Sequence, residues 1–303
     1  MSAEQTETTG GHAGADVPAI VGVIGGGRMG AGIAHAFLMA GSRVTVLERD
    51  EAAASAARSR VLATVAASVQ RGAPEPPAGR LTVTTDVAEL EDARLAIEAV
   101  PEDRGLKVAA LRRVERVVAA DAVLATNTSS ISIDELATGI GRPGGFVGMH
   151  FFNPVPSSAL VEVVIGSATS PAVVTTAETW VRALGKTPVT VTDSPGFASS
   201  RLGVLLGLEA IRMLEEGVAT AEDIDAAMVL GYKHPVGPLM LTDLVGLDVR
   251  LGIAEYLSEH LGARFEPPEL LRRMVADGAL GRKSGRGFYE WAGTTPSDQE
   301  RRR

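Results

Sequence analysis

The sequence predicts an α/β fold: a doubly wound parallel sheet followed by a smaller all-α region. Three observations carry that expectation. From Ile20 to Asp193, short apolar runs alternate with longer stretches of helical character, as in strands buried on both faces and wrapped by helices. After Ser194-Pro195-Gly196 the strand signals stop and helical periodicity takes over. A length of 303 residues, against roughly 150 per domain, is enough for two cores.

The strand candidates are, in order, Ile20 to Ile24, Val44 to Leu47, Leu81 to Thr84, Leu95 to Ile97, Ala122 to Ala125 and Phe146 to Met149. Leu160 to Ile165 and Val189 to Val191 are read as added strands of the same sheet. Helices are expected from Gly30 to Met39 with Gly41 as a stop, from Glu51 to Arg71, from near Ile133, and from Pro171 to Leu184 with Gly185 behind it. The second region should hold helices at Phe197 to Glu216, Ala221 to Leu230, Leu244 to Leu261 and Pro268 to Ala276. In the first of these Gly203 and Gly207 share a face, which either admits a close neighbour or simply weakens the helix. The expected boundaries are a disordered leader at 1–17, the sheet domain at 18–194, the helical domain at 195–292 and a disordered tail at 293–303.

Composition narrows the function. Asp and Glu number 37 against 29 Lys and Arg, a net charge of -8, which disfavours a nucleic-acid partner because phosphates call for a basic face. Without cysteine there is no disulfide framework, thiolate nucleophile or Cys-based metal site. No close pair of histidines appears at ligand spacing, so no metal is expected. No apolar run approaches the roughly 18 residues of a membrane span, and Met1 to Val17 lacks the basic start and apolar centre of an export signal. A soluble cytoplasmic protein with no membrane partner is the expectation.

The first strand runs into Gly25-Gly26-Gly27-Arg28-Met29-Gly30, a G-x-G-x-x-G turn that opens a helix. Gly25 permits the tight turn, Gly27 leaves room for a pyrophosphate, and Gly30 lets the helix pack on the strand, whose free N–H groups face the phosphates. Glu48, 18 residues after Gly30 at the end of the second strand, can hold both ribose hydroxyls. The whole is a Rossmann-type dinucleotide site. Glu48 argues for NAD, while the adjacent Arg49 leaves NADP open.

A dehydrogenation also needs a proton carrier, and histidine titrates in the right range. Of His12, His35, His150, His234 and His260, only His150 closes a buried strand at the edge where ligands of parallel sheets bind. Twelve residues on, Glu162 is the lone charge in Ala159 to Ile165, so it either pairs with His150 or faces water from an edge strand. Asn127-Thr128-Ser129-Ser130 places polar groups on the same edge, where such a cluster commonly caps a helix.

These residues resemble a known family. The glycine turn, Asn127 to Ile131, His150-Phe151-Phe152-Asn153-Pro154-Val155-Pro156, Leu160 to Val163 and Gly281 to Tyr289 are similar to 3-hydroxyacyl-CoA dehydrogenases, in order from about Ile20 to Trp291. The likeness is greatest to the short, stand-alone 3-hydroxybutyryl-CoA dehydrogenase branch. The resemblance implies NAD as cofactor, an acyl-CoA thioester as substrate in an interdomain cleft, and a homodimer formed through the helical domain. It implies His150 as catalytic base, Glu162 as its partner and Ser129 as a substrate contact. It also places Arg28, Met29, Glu102, Lys107, Asn127, Ser129, Asn153 and Lys283 beside the cofactor.

Two departures stand out. Ser200 occupies the place of the family's asparagine in Pro195-Gly196-Phe197-Ala198-Ser199-Ser200-Arg201, replacing an amide with one hydroxyl at a catalytic position. The stretch from Glu51 to Arg71 has no lysine for CoA, leaving Arg58, Arg60 or Arg71 as substitutes. The expected reaction is interconversion of a 3-hydroxyacyl-CoA, short-chain and like 3-hydroxybutyryl-CoA, with its 3-ketoacyl-CoA. The alternative is a related dehydrogenase acting on a carrier-protein-bound hydroxyacyl group or a secondary-metabolism hydroxy acid.

Overall fold

Short runs of valine, isoleucine and leucine, which favour the extended backbone and need cover on both faces, build one eight-stranded sheet in the computed structural model, which describes residues 17–291. The expected leader and tail fall outside these residues apart from 17. The strands are β1 (Ile20–Ile24), β2 (Arg43–Leu47), β3 (Leu81–Thr84), β4 (Leu95–Glu98), β5 (Val123–Thr126), β6 (Phe146–Phe151), β7 (Leu160–Ile165) and β8 (Thr187–Thr192). Their order is β3-β2-β1-β4-β5-β6-β7-β8. Neighbours from β3 to β6 pair in parallel, whereas β7 returns antiparallel to β6. The chain therefore reverses its winding between β1 and β4, where open sheets of this type bind their ligands. β3 differs from expectation in being only half-buried, because it forms the outer edge of the sheet.

The helices of the sheet unit are α1 (Arg28–Met39), α2 (Glu51–Gln70), α3 (Arg104–Glu115), α4 (Ile133–Ala137) and α5 (Pro171–Ala183). Asp50, Asp103 and Ser170 accept N–H groups at the starts of α2, α3 and α5, as capping side chains should. α1 packs Ile33, Ala34, Phe37 and Leu38 against Val21, Val23, Val44 and Val46 in the main core. Truncating a fully buried phenylalanine such as Phe37 to alanine costs about 3–5 kcal/mol.

By contacts, residues 17–128 and 133–191 form one unit, while 129–132 join 192–291 in a second. That second unit is helical: α6 (Ser199–Glu215), α7 (Ala221–Ala226), α8 (Pro238–Val245), α9 (Leu247–Leu261) and α10 (Glu269–Ala276). Its core gathers Val204, Leu208, Ile211, Leu239, Leu257 and Phe265. Two of its helices depart from expectation. The predicted Leu244 to Leu261 helix is cut at Gly246, whose φ of 110° ends α8 and begins α9. Helix α7 passes into a π turn over Ala227–Gly231. Gly207 admits a close neighbour, since a Cβ there would lie 3.2 Å from Thr242 Oγ1. No helix among the described residues is long and apolar enough to cross a membrane.

Candidate active site

At the carboxyl end of β1 the chain turns sharply, and two glycines there answer to different demands. A Cβ on Gly30 would stand 1.7 Å from the carbonyl oxygen of Gly25, so the turn itself excludes a side chain. A Cβ on Gly27 would meet nothing within 4 Å, so no protein group demands glycine at that point. This open place adjoins the start of α1, which has no capping side chain and no acidic residue in its first turn. Free N–H groups, a positive dipole end and room against the backbone fit a pyrophosphate. Arg28 is exposed beside the turn, and Met29 leans on the core.

Glu48 stands at the end of β2, where Oε1 accepts the Gly26 N–H at 2.6 Å. Arg49 turns away to an exposed pair with Asp50 at 3.0 Å. Arg60 donates to the Gly26 carbonyl at 3.2 Å, and Arg71 donates to Ser68 Oγ at 3.2 Å, so both side chains hold local structure.

Next along the sheet edge lies a charge cluster built on the buried pair Lys107 and Glu98, with Glu102 at its exposed side. Lys107, 1% exposed, reaches Glu98 Oε1 at 2.9 Å and Glu102 Oε2 at 3.2 Å. Thr126 donates to Glu98 at 2.6 Å, and Thr128 donates to Glu102 at 2.5 Å. Burial pushes the Glu98 carboxyl above its ordinary range, and the Lys107 ammonium and Thr126 hydroxyl act against that rise. Glu98 and Thr126 are absent from the residues expected from sequence. The signal for Glu98 was the same as for Glu162: one charge in an otherwise apolar strand.

His150 and Glu162 are direct cross-strand partners in the antiparallel pair β6/β7, so both side chains project from one face. Nδ1 of His150 lies 2.8 Å from Oε2 of Glu162, with the residues 5% and 1% exposed. Glu162 therefore does not face water, because β8 lies beyond β7 and removes it from the edge. Phe152 tilts against the imidazole, its ring centroid 4.4 Å away. Asn127, at the end of β5, accepts the Phe151 N–H at 2.8 Å and ties the His150 strand to its neighbour. Asn153 is exposed just beyond.

The remaining candidates belong to the helical unit. Ser129 lies in the short 129–132 segment that joins this unit by contacts. Ser200 is half-buried in the first turn of α6. Lys283 pairs with Asp248 at 2.5 Å on the same unit.

A phosphate cradle and a buried imidazole–carboxylate pair along one sheet edge are the parts of a dinucleotide-dependent oxidoreductase. The family model described as "3-hydroxyacyl-CoA dehydrogenase, NAD binding domain" matches residues 20–194, and the family's C-terminal domain matches 196–291. A 3-hydroxybutyryl-CoA dehydrogenase of Mycobacterium tuberculosis is 45% identical over 279 residues, covering 89% of this chain and 98% of the relative. The crystal structure of M. tuberculosis FadB2 superposes with a TM-score of 0.86 at 44% identity, over 91% of this chain and all (100%) of the other. That of the (S)-3-hydroxybutyryl-CoA dehydrogenase PaaH1 from Ralstonia eutropha gives 0.85 at 38% identity, over 91% and 99%. The chain belongs to the 3-hydroxyacyl-CoA dehydrogenase family and is an NAD-dependent enzyme.

Proposed function

We propose that this enzyme interconverts a short-chain 3-hydroxyacyl-CoA with its 3-ketoacyl-CoA, and that His150 moves the proton. The observation that carries this reading is the 2.8 Å approach of two buried groups, His150 Nδ1 and Glu162 Oε2. Glu162 accepts a hydrogen bond from Nδ1–H and so selects the tautomer in which Nε2 takes the proton of the substrate hydroxyl. The carboxylate then stabilises the imidazolium that forms, and in the reverse direction the ring returns its proton to the ketone oxygen. Ser129 and Ser200 hydrogen-bond the substrate. Glu48, Glu102, Lys107, Asn127, Asn153, Lys283 and the glycine turn with Arg28 and Met29 hold the cofactor. NAD bound there supplies the hydride acceptor.

Residues 18–194 serve as the cofactor domain and 195–292 as the substrate and dimerisation domain. Among the described residues, nine of the twelve exposed large apolar side chains lie on the helical unit, including Leu202, Leu230, Tyr232, Val245 and Val249, which supports a homodimer formed there. The names of the relatives support a short acyl-CoA substrate. Following NADH oxidation with acetoacetyl-CoA, then with NADPH and with longer ketoacyl thioesters, tests the reading. NADH-dependent turnover highest on the short thioesters is expected, and no turnover on any of them contradicts it. Ser200 favours one second reading, an acyl group presented on a carrier protein, which faster turnover on that thioester than on the CoA ester would establish.

A further inference from the structure

The connection between β6 and β7, residues 152–159, returns the chain from His150 to Glu162. Strand β7 does little to fix its own register, because Leu160, Val161, Val163, Val164 and Ile165 are apolar on both faces and a slip would exchange one apolar residue for another. So long a connection is also no tight turn that dictates register. It is held from two sides instead. On one, Val155, 2% exposed, sits over Gly32 of α1, where a Cβ would stand 2.8 Å from its Cγ2. On the other, Lys186 Nζ donates to the Val155 carbonyl at 2.7 Å and also to the Ser158 carbonyl.

Lys186 owes its place to the end of α5. Gly185, at a φ of 72°, stops the helix, the Lys186 N–H returns to the Val181 carbonyl, and Thr187 opens β8 by donating to Ala159. The ammonium is half-buried, burial pushes its pKa below the ordinary value, and among the described residues no carboxylate pairs with it. Desolvating an ammonium for two neutral carbonyls is unfavourable by itself, so the clamp points to a demand on this turn beyond stability.

We propose that Lys186 is a positioning residue for proton transfer: its clamp on the turn keeps His150 and Glu162 at their 2.8 Å approach and Phe152 against the imidazole. The proposal rests on the reading of His150 as the proton carrier. A displacement starting at Val155 or Ser158 has only a few residues to cross before it reaches either partner. A misplacement of about 1 Å at a reacting group can cost about 100-fold in rate.

The test is a double-mutant cycle on kcat with NADH and acetoacetyl-CoA, comparing Lys186→Met in wild type and in Glu162→Gln, with urea unfolding of each protein alongside. In wild type the change should lower kcat about 10-fold and leave both KM values within about threefold, because the interaction at stake belongs to the transition state. In Glu162→Gln, where the pair is already broken, it should lower kcat less than about threefold. If the methionine variant does not fold, Lys186→Gln, which keeps an amide donor without the charge, completes the same cycle. An unchanged kcat in the wild-type background overturns the proposal, even with a lowered urea midpoint, and makes Lys186 a brace of the turn. So does the same fold-loss in both backgrounds, or a loss carried by KM. Near-wild-type turnover in His150→Ala defeats the proton-carrier reading and the proposal with it, whereas a collapse there beside independent losses at Lys186 and Glu162 defeats only the positioning role.

Discussion

The sheet unit and the helical unit meet the cost of burying charge in different ways. In the sheet unit charge meets charge: Lys107 lies between Glu98 and Glu102, and His150 lies against Glu162. In the helical unit buried carboxylates are met by neutral donors. Asp225 accepts the N–H groups of Leu239 and Met240 at 2.8 Å, and Asp243 accepts those of Phe288 and Tyr289 together with Trp291 Nε1. Backbone donors fix a carboxylate in a structural role because they neither move nor titrate. A paired imidazole keeps a proton to trade, and this difference separates a site from a brace.

The largest effect should come from breaking a charge pair on one side only. Lys107→Met leaves Glu98 buried with no cation and should cost about 3–5 kcal/mol in urea unfolding. The sign with pH follows from the raised Glu98 carboxyl: its contribution is fullest at low pH and is lost as pH rises through the folded-state value. Lys107→Met should therefore gain stability between pH 8 and pH 5 relative to wild type, and equal slopes would show that Lys107 does not govern Glu98.

On the other side of the comparison, Asp243→Ala strips acceptors from three donors and should cost roughly 2–4 kcal/mol of stability, since each such bond to a charged group contributes on the order of 1.5–3 kcal/mol and the losses overlap. A cost under about 0.5 kcal/mol, the level of an ordinary surface change, would erase the proposed distinction. Glu162→Gln should lower kcat by roughly 10- to 100-fold with stability changed less, because the isosteric amide keeps shape and loses the charge that stabilises imidazolium. An unaltered kcat would make Glu162 a brace like Asp243.

The smallest expected effect is at His35, buried between α1 and α2 with Nε2 2.9 Å from Ser68 Oγ. Burial first, then Arg71 and Lys186, holds its pKa below the usual 6.5. The stability it contributes is present above that unfolded value and is lost as pH falls, so wild type should lose Tm between pH 7.5 and 5.5 more steeply than His35→Gln. Parallel slopes would remove His35 from the acid response.

How much of this was legible in the residues follows the same physics. The inner strands of the parallel sheet announce themselves because both faces are covered, which makes Val21 to Ile24 or Leu95 to Ile97 continuous apolar runs. The reversal of β7 against β6 was not legible, since either direction satisfies Leu160 to Ile165 equally well. Nor was the break at Gly246, where a positive φ leaves no mark on the apolar periodicity around it. Glu162 stood out as a lone charge, and so did Glu98, but the cation for Glu98 arrives nine residues later from another element.

The central claim, that His150 moves the proton, is tested most directly by His150→Ala, with NADH affinity measured by fluorescence titration alongside kcat on the best ketoacyl thioester. The account predicts cofactor affinity within about threefold of wild type, less than 1 kcal/mol, and kcat lowered by about 100- to 10,000-fold. A variant that binds NADH normally and still turns over at close to the wild-type rate would contradict it.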